Sequence, residues 1–258
     1  MTYKMDATHS YSLRYGAILL VIFIATYKIF SLAPIAQDPA YHQFADVLSY
    51  GGIPNIGNVI SNAGFLIAGI VGLIRNRKNR PSYEVFMWDF FFAAVVGVGI
   101  GSAYYHWQPS NNSLFWDRLP MTLAFGSLVA CICGERFGGR FGKQVFRFVV
   151  SVGAFSVVYW WVSEIMGAGD LRLYILIQYL PMVLLPLVLI LFPSKASRDR
   201  MYWALLLAYI LAKLFELQDT AIFNSTLHMI SGHSLKHLAA AAGILALQPP
   251  CDSMNEQA

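Results

Sequence analysis

The chain has 258 residues, of which 57% are hydrophobic and only 12% charged, with a formal net charge of +4. A soluble domain carries about 25% charged residues, so this surface cannot be covered for water and lipid must be the solvent for much of the exterior. The small positive charge sits in short loops and carries no nucleic-acid signature. Cys131, Cys133 and Cys251 make no disulfide framework. The first two lie within an apolar run, two residues apart and on different faces, where packing is the default use of a thiol.

A bilayer core of about 30 Å asks for roughly 20 apolar residues per helix. Eight such runs follow in chain order, at 14–33, 57–74, 86–106, 118–134, 145–163, 172–192, 201–217 and 227–247. They are continuous and too long for barrel strands, which would also alternate. The length of the first run, with Pro34 just beyond it, favours a retained helix over a signal peptide. The expectation is an all-α polytopic membrane helix bundle forming a single integral membrane domain.

Basic residues orient it. The N-terminus (Lys4, Arg14), loop 75–85 (Arg75, Arg77, Lys78, Arg80), segment 135–147 (Arg136, Arg140, Lys143, Arg147) and loop 194–200 (Lys195, Arg198, Arg200) hold 13 of the 18 Lys and Arg. Eight helices put these four segments on one side, the cytoplasmic one by the positive-inside rule, together with both termini. The opposite side has segment 34–56, with Asp38 and Asp46 but no Lys or Arg, and 107–118, 164–172 and 218–226, with only Arg118 and Arg172 between them.

Ionisable groups inside membrane helices are expensive, so each invites a functional reading. Ser102 and His106 close the third run and, four apart, share a face. Asp117 opens the fourth. His233 and His237 lie early in the eighth, again four apart. Lys28, Lys213, Glu216 and Lys236 lie in or near helix ends. Two His at i and i+4 can hold one metal ion, and a third His from another helix leaves the open fourth position typical of catalytic zinc. The orientation places His106, Asp117, His233 and His237 at similar depth on one side. For each His alone, hydrogen-bonded packing is the competing reading. Haem is a poor one, because an i, i+4 pair cannot sit on opposite faces of one macrocycle.

The stretch Gly101-Ser102-Ala103-Tyr104-Tyr105-His106, followed by Asp117-Arg118-Leu119-Pro120-Met121, resembles the signature of the alkaline ceramidase family. Ser231-Gly232-His233-Ser234-Leu235-Lys236-His237 resembles its C-terminal His-x-x-x-His, and Asn58-Val59-Ile60-Ser61-Asn62 its Asn-x-x-Ser-Asn. The bacterial branch is the closer match, within a wider superfamily of seven-helix hydrolases that includes adiponectin-type receptors and GPI-remodelling proteins. The resemblance implies a seven-helix core over 57–247, an extra N-terminal transmembrane helix at 14–33 and a short cytoplasmic tail at 248–258. It implies zinc on His106, His233 and His237, proton handling by Asp117, and Ser102 as a polar group near the metal. The implied activity is zinc-dependent amide hydrolysis of a ceramide-like lipid drawn from the bilayer, in a bacterial inner membrane with the site facing the periplasm. A hydrolase of another lipid ester or amide, and a non-catalytic zinc-containing receptor, are the alternatives. Eukaryotic members bind calcium through an acidic segment before the core. Here that region holds Asp38, Asp46 and Asn55, too little acid for calcium, and Asp38 and Asp46 are expected as solvated loop charges, like His9 and His42.

Overall fold

The computed structural model describes residues 2–77, 82–194 and 196–248. Lys78, Arg80 and Lys195 from the basic loops, and all of the expected tail except Gln248, lie outside the described residues.

A helix covers each of the eight apolar runs. α1 (Thr2–Phe30) is followed by a 3-10 turn at Pro39–His42 and a short antiparallel hairpin, β1 (Ser49–Tyr50) with β2 (Ile53–Pro54). The run at 57–74 is broken into α2 (Ile56–Ser61) and α3 (Ala63–Asn76). Then come α4 (Tyr83–Trp107), α5 (Asn111–Phe137), α6 (Gly139–Ile165), α7 (Arg172–Leu191), α8 (Ala196–Leu217), the short α9 (Asp219–Ser225) and α10 (Gly232–Leu245). His9, expected in a loop, lies within α1. The hairpin was not legible as a strand pair. Its Gly51-Gly52 turn has φ of +60° and +81°, the left-handed pair that a two-residue hairpin requires.

Among the described residues, α1, α2–α3, α4, α6 and α7 are long and apolar enough to cross a bilayer. Their outward residues are what lipid wants and water does not: Leu19, Phe23, Ile74, Phe148 and Ile190 are all exposed. α5 and α8 carry charged residues of the site described below. α10 has 14 residues, about 21 Å at 1.5 Å per residue. It begins later than the run at 227–247 suggests because Leu227 and His228 have φ of +53° and +62° and Ser231 caps the helix by accepting from the Ser234 N–H.

α4 is the central helix, packed on α3 and α5, with α6 beyond α5, α10 between α3 and α8, and α1 against α7. Gly97 and Gly101 let α4 approach α5 closely, at Pro120 and Trp116. Pro120 has no N–H, so the Trp116 carbonyl of α5 loses its helical donor, and Gly101 lies against that carbonyl. A Cβ on Gly101 would stand 1.9 Å from the Trp116 oxygen, and a backbone atom cannot rotate away. Gly101→Ala is therefore expected to cost about 1–3 kcal/mol or more. Gly16→Ala, where a Cβ meets nothing within 4 Å, should cost nothing. Thermal unfolding in detergent compares the two, and equal melting temperatures would contradict the packing.

One buried core joins α3, α4, α5, α8 and α10 through Trp88, Phe91, Phe92, Val95, Leu128 and Tyr202. A second, smaller one, around Tyr105, Leu114, Trp160 and Tyr174, closes the end where α4 finishes and α5 and α10 begin. At that end Asp170, in the α6–α7 link, receives two Arg172 guanidinium bonds at 2.9 and 2.7 Å. They hold its carboxyl down to about 2.

Candidate active site

His106 stands in the last turn of α4, His233 in the first turn of α10 and His237 one turn on. All three are buried, and their ligand atoms lie within 4.8 Å of one another. His106 Nε2 is 3.2 Å from His233 Nε2. Three imidazoles so placed can hold a metal ion. Phe44, from the segment before the hairpin, covers the cluster with its ring 4.5 Å from that of His106 and 5.2 Å from that of His233.

The ligands are held from behind. Ser61 donates to the Asn58 carbonyl at 3.0 Å, which spends its proton, so at 2.8 Å it accepts from His237 Nδ1. That assigns the proton to Nδ1 and leaves the Nε2 lone pair for the centre of the cluster, the usual arrangement behind a metal-bound His. The His233 N–H donates to Asp219 Oδ1 at 2.7 Å, and Asp219 Oδ2 accepts from the Ala45 N–H at 3.1 Å. The Asn55 amide donates to the His106 carbonyl at 2.9 Å. His106 Nδ1 is buried without a partner among the described residues.

Ser102 lies one turn before His106 on the same face of α4, within electrostatic reach of the Asp117 carboxylate. Ser110 starts α5 with a capping box shared with Ser113, which places Asp117 in the second turn, opposite Ser102. Ser102, Asp117 and the three His all line one cavity of about 530 Å³, a size usual for a small-molecule or lipid-tail site. Most of its polar groups come from helix ends and the loop at 37–41, with Gln178, Tyr179 and Tyr209 further along α7 and α8. Phe91, Val95, Met121, Leu128 and Leu206 give it an apolar wall at mid-helix.

Several residues behave differently from their expected solvated roles. Asp46 is 1% exposed because the loop folds under α2. Its carboxylate accepts from the N–H of Asn58 at 2.9 Å and of Leu48 at 3.1 Å, and Asn58 Oδ1 in turn accepts from the hydroxyls of Ser231 and Ser234. His42 bonds the Tyr105 hydroxyl and the Asn111 side chain, both at 3.0 Å. Asp38 is exposed as expected and caps the 3-10 turn. Tyr105 lines the cavity, whereas Tyr104 points outward and is 42% exposed. Trp107 and Trp116 are exposed, as interface anchors would be.

Sequence reasoning named two cations without giving either a role. Arg118 is 4% exposed. It donates to Gln37 Oε1 at 2.7 Å and lies over the rings of Trp160 and Tyr174 at 4.2 and 4.5 Å. Lys236 donates to Glu216 at 2.7 Å and to His233 Nε2 at 3.2 Å, while Lys213 pairs with the other Glu216 oxygen. The signal was present in both cases: a Lys one residue from a ligand His, and an Arg beside the intramembrane Asp.

No curated protein matches the chain. A family model described as ceramidase matches residues 49–215, well over half of it. The matched stretch contains Ser102, His106 and Asp117 and stops short of α10, so the histidines that the fold delivers to the same cavity come from outside it. On that match, the chain belongs to the ceramidase family.

Proposed function

We propose that the protein is a zinc-dependent membrane amidohydrolase that cleaves the amide bond of ceramide-like lipids to a sphingoid base and a fatty acid. One observation carries this reading: three buried imidazoles converge beside Ser102 and Asp117 at the polar end of a largely apolar cavity. Two nitrogens on one tetrahedral zinc at about 2.0–2.1 Å stand about 3.3–3.4 Å apart. The 3.2 Å between His106 and His233 fits that spacing, and neutral imidazoles suit zinc among the first-row ions.

His106, His233 and His237 hold the ion, which when bound polarises the amide carbonyl and acidifies its water towards neutral pH. Asp117 accepts the proton of the attacking water as its oxygen bonds to the carbonyl carbon. When the C–N bond breaks, Asp117 returns that proton to the departing amine. Ser102 aims the Asp117 carboxylate. Ser61 fixes the ring of His237. Phe44 and Tyr105 keep the centre dry. The acyl chain lies along the mid-helix apolar wall, which lets a bilayer lipid present its amide at the helix ends.

The same reading takes all eight helical runs as spanning, a seven-helix core with α1 added. Both termini are cytoplasmic and the site faces the periplasm of a bacterial inner membrane.

The test is metal content by mass spectrometry together with fatty-acid release from ceramide, on protein purified in detergent without chelator. About one zinc per chain and a chelator-sensitive release are expected. Zinc-replete protein that leaves ceramide intact but cleaves a lipid ester would replace the substrate, and no cleavage of either would end the enzyme reading.

A further inference from the structure

The Lys213–Glu216–Lys236 cluster lies in the cavity wall and has no part in the chemistry above. It is unbalanced: two ammonium groups share one carboxylate, Lys213 on one oxygen and Lys236 on the other. The residual positive charge is reachable, for the side chains of Lys236 and Glu216 are each 23% exposed and that of Lys213 is 34% exposed. Lys236 is also close enough to act electrostatically on His106, His233, His237 and Asp117 together.

An ammonium has three donors and no acceptor. Glu216 takes one and His233 Nε2 takes a second. The single lone pair of that nitrogen is the one a metal ion needs, so a metal-bound His233 leaves Lys236 with two N–H groups for which the described residues show no other acceptor. They are beside the reacting centre, on a side chain whose direction Glu216 holds.

We infer that Lys236, anchored by Glu216, binds the acyl oxygen of the substrate: the amide carbonyl oxygen before cleavage and a carboxylate oxygen of the released fatty acid. The inference rests on the hydrolase reading and names the group that meets the acyl end. A charged donor gains most where negative charge develops, so it favours the tetrahedral stage over the neutral amide and holds the carboxylate product.

Binding of a long-chain fatty acid and of the fatty alcohol of the same length, to metal-loaded protein in detergent, tests this without requiring turnover. The wild type should prefer the acid at least tenfold. Lys236→Met, which keeps the stem and removes the charge, should lose that preference while alcohol affinity, zinc content and melting temperature stay put. Its kcat/KM on ceramide should fall about 10²- to 10³-fold. Lys236→Arg, which keeps a cation, should retain the preference and serves if the Met variant does not fold. A wild type that does not distinguish acid from alcohol, or a Lys236→Met protein with the preference intact, overturns the role of Lys236. A wild type that selects the acid through Lys236 yet cleaves no ceramide leaves the acyl-oxygen site standing and removes the substrate reading instead.

Discussion

His237→Ala protein should purify without its metal and with ceramide hydrolysis reduced by at least about 10³-fold, because losing the ion returns a water of pKa about 7 to about 15.7. His233→Ala should do the same. Both side chains are buried at the start of α10, and the interhelix bond lost with His237, to Ser61, is worth about 1 kcal/mol, so melting temperature should move far less than activity. A graded companion separates ligand from support. Ser61→Ala deletes the acceptor behind His237 Nδ1 along with the hydroxyl's bond to the Asn58 carbonyl and should weaken metal binding about 10- to 100-fold, with activity restored by added zinc. Mass spectrometry of the purified proteins and a zinc titration of activity read all three. Full zinc in His237→Ala would remove that residue from the site.

Asp117→Asn should keep its zinc and lose about 10²–10⁴ in kcat, the range general acid–base groups supply. The amide is nearly isosteric, so the geometry of α4 against α5 is retained while the proton acceptor is gone. KM should change little, because the carboxylate acts on the water and the leaving amine and does not grip the lipid. Ser102→Ala, which frees the carboxylate to turn, should cost less, about tenfold. Single-turnover release of fatty acid from ceramide measures both. Asp117→Asn protein that retains both zinc and wild-type turnover would assign the proton transfer elsewhere. A chain in which zinc serves only to brace a receptor would give no turnover in the parent protein either.

Much of this was readable along the chain because it depends on local spacing. Apolar run length located a helix at each of eight places, since a bilayer sets the length a helix needs. The i, i+4 spacing put His233 with His237 and Ser102 with His106 on shared faces, since 3.6 residues per turn allows nothing else.

What could not be read were contacts between groups far apart in sequence. Asp46, Arg118 and His42 look like loop residues, and a loop charge is solvated unless another element closes over it. Here the segment from 35 to 46 folds back under α2 and across the start of α5, so Asp46 is buried beneath Asn58 and Arg118 stacks on Trp160 and Tyr174 from α6 and α7. The break in the run at 57–74 was equally hidden, as was the part Asp219 plays at the start of α10 by accepting from the His233 N–H. Composition and periodicity alone determined a helical membrane protein with a histidine-rich polar end. Only the tertiary structure decided that Ser61 orients His237, that Asp219 ties α10 to the Ala45 segment, and that Lys236 reaches the same centre, because hydrogen bonds and ion pairs form where packed helix ends meet and not where residues are neighbours in the chain.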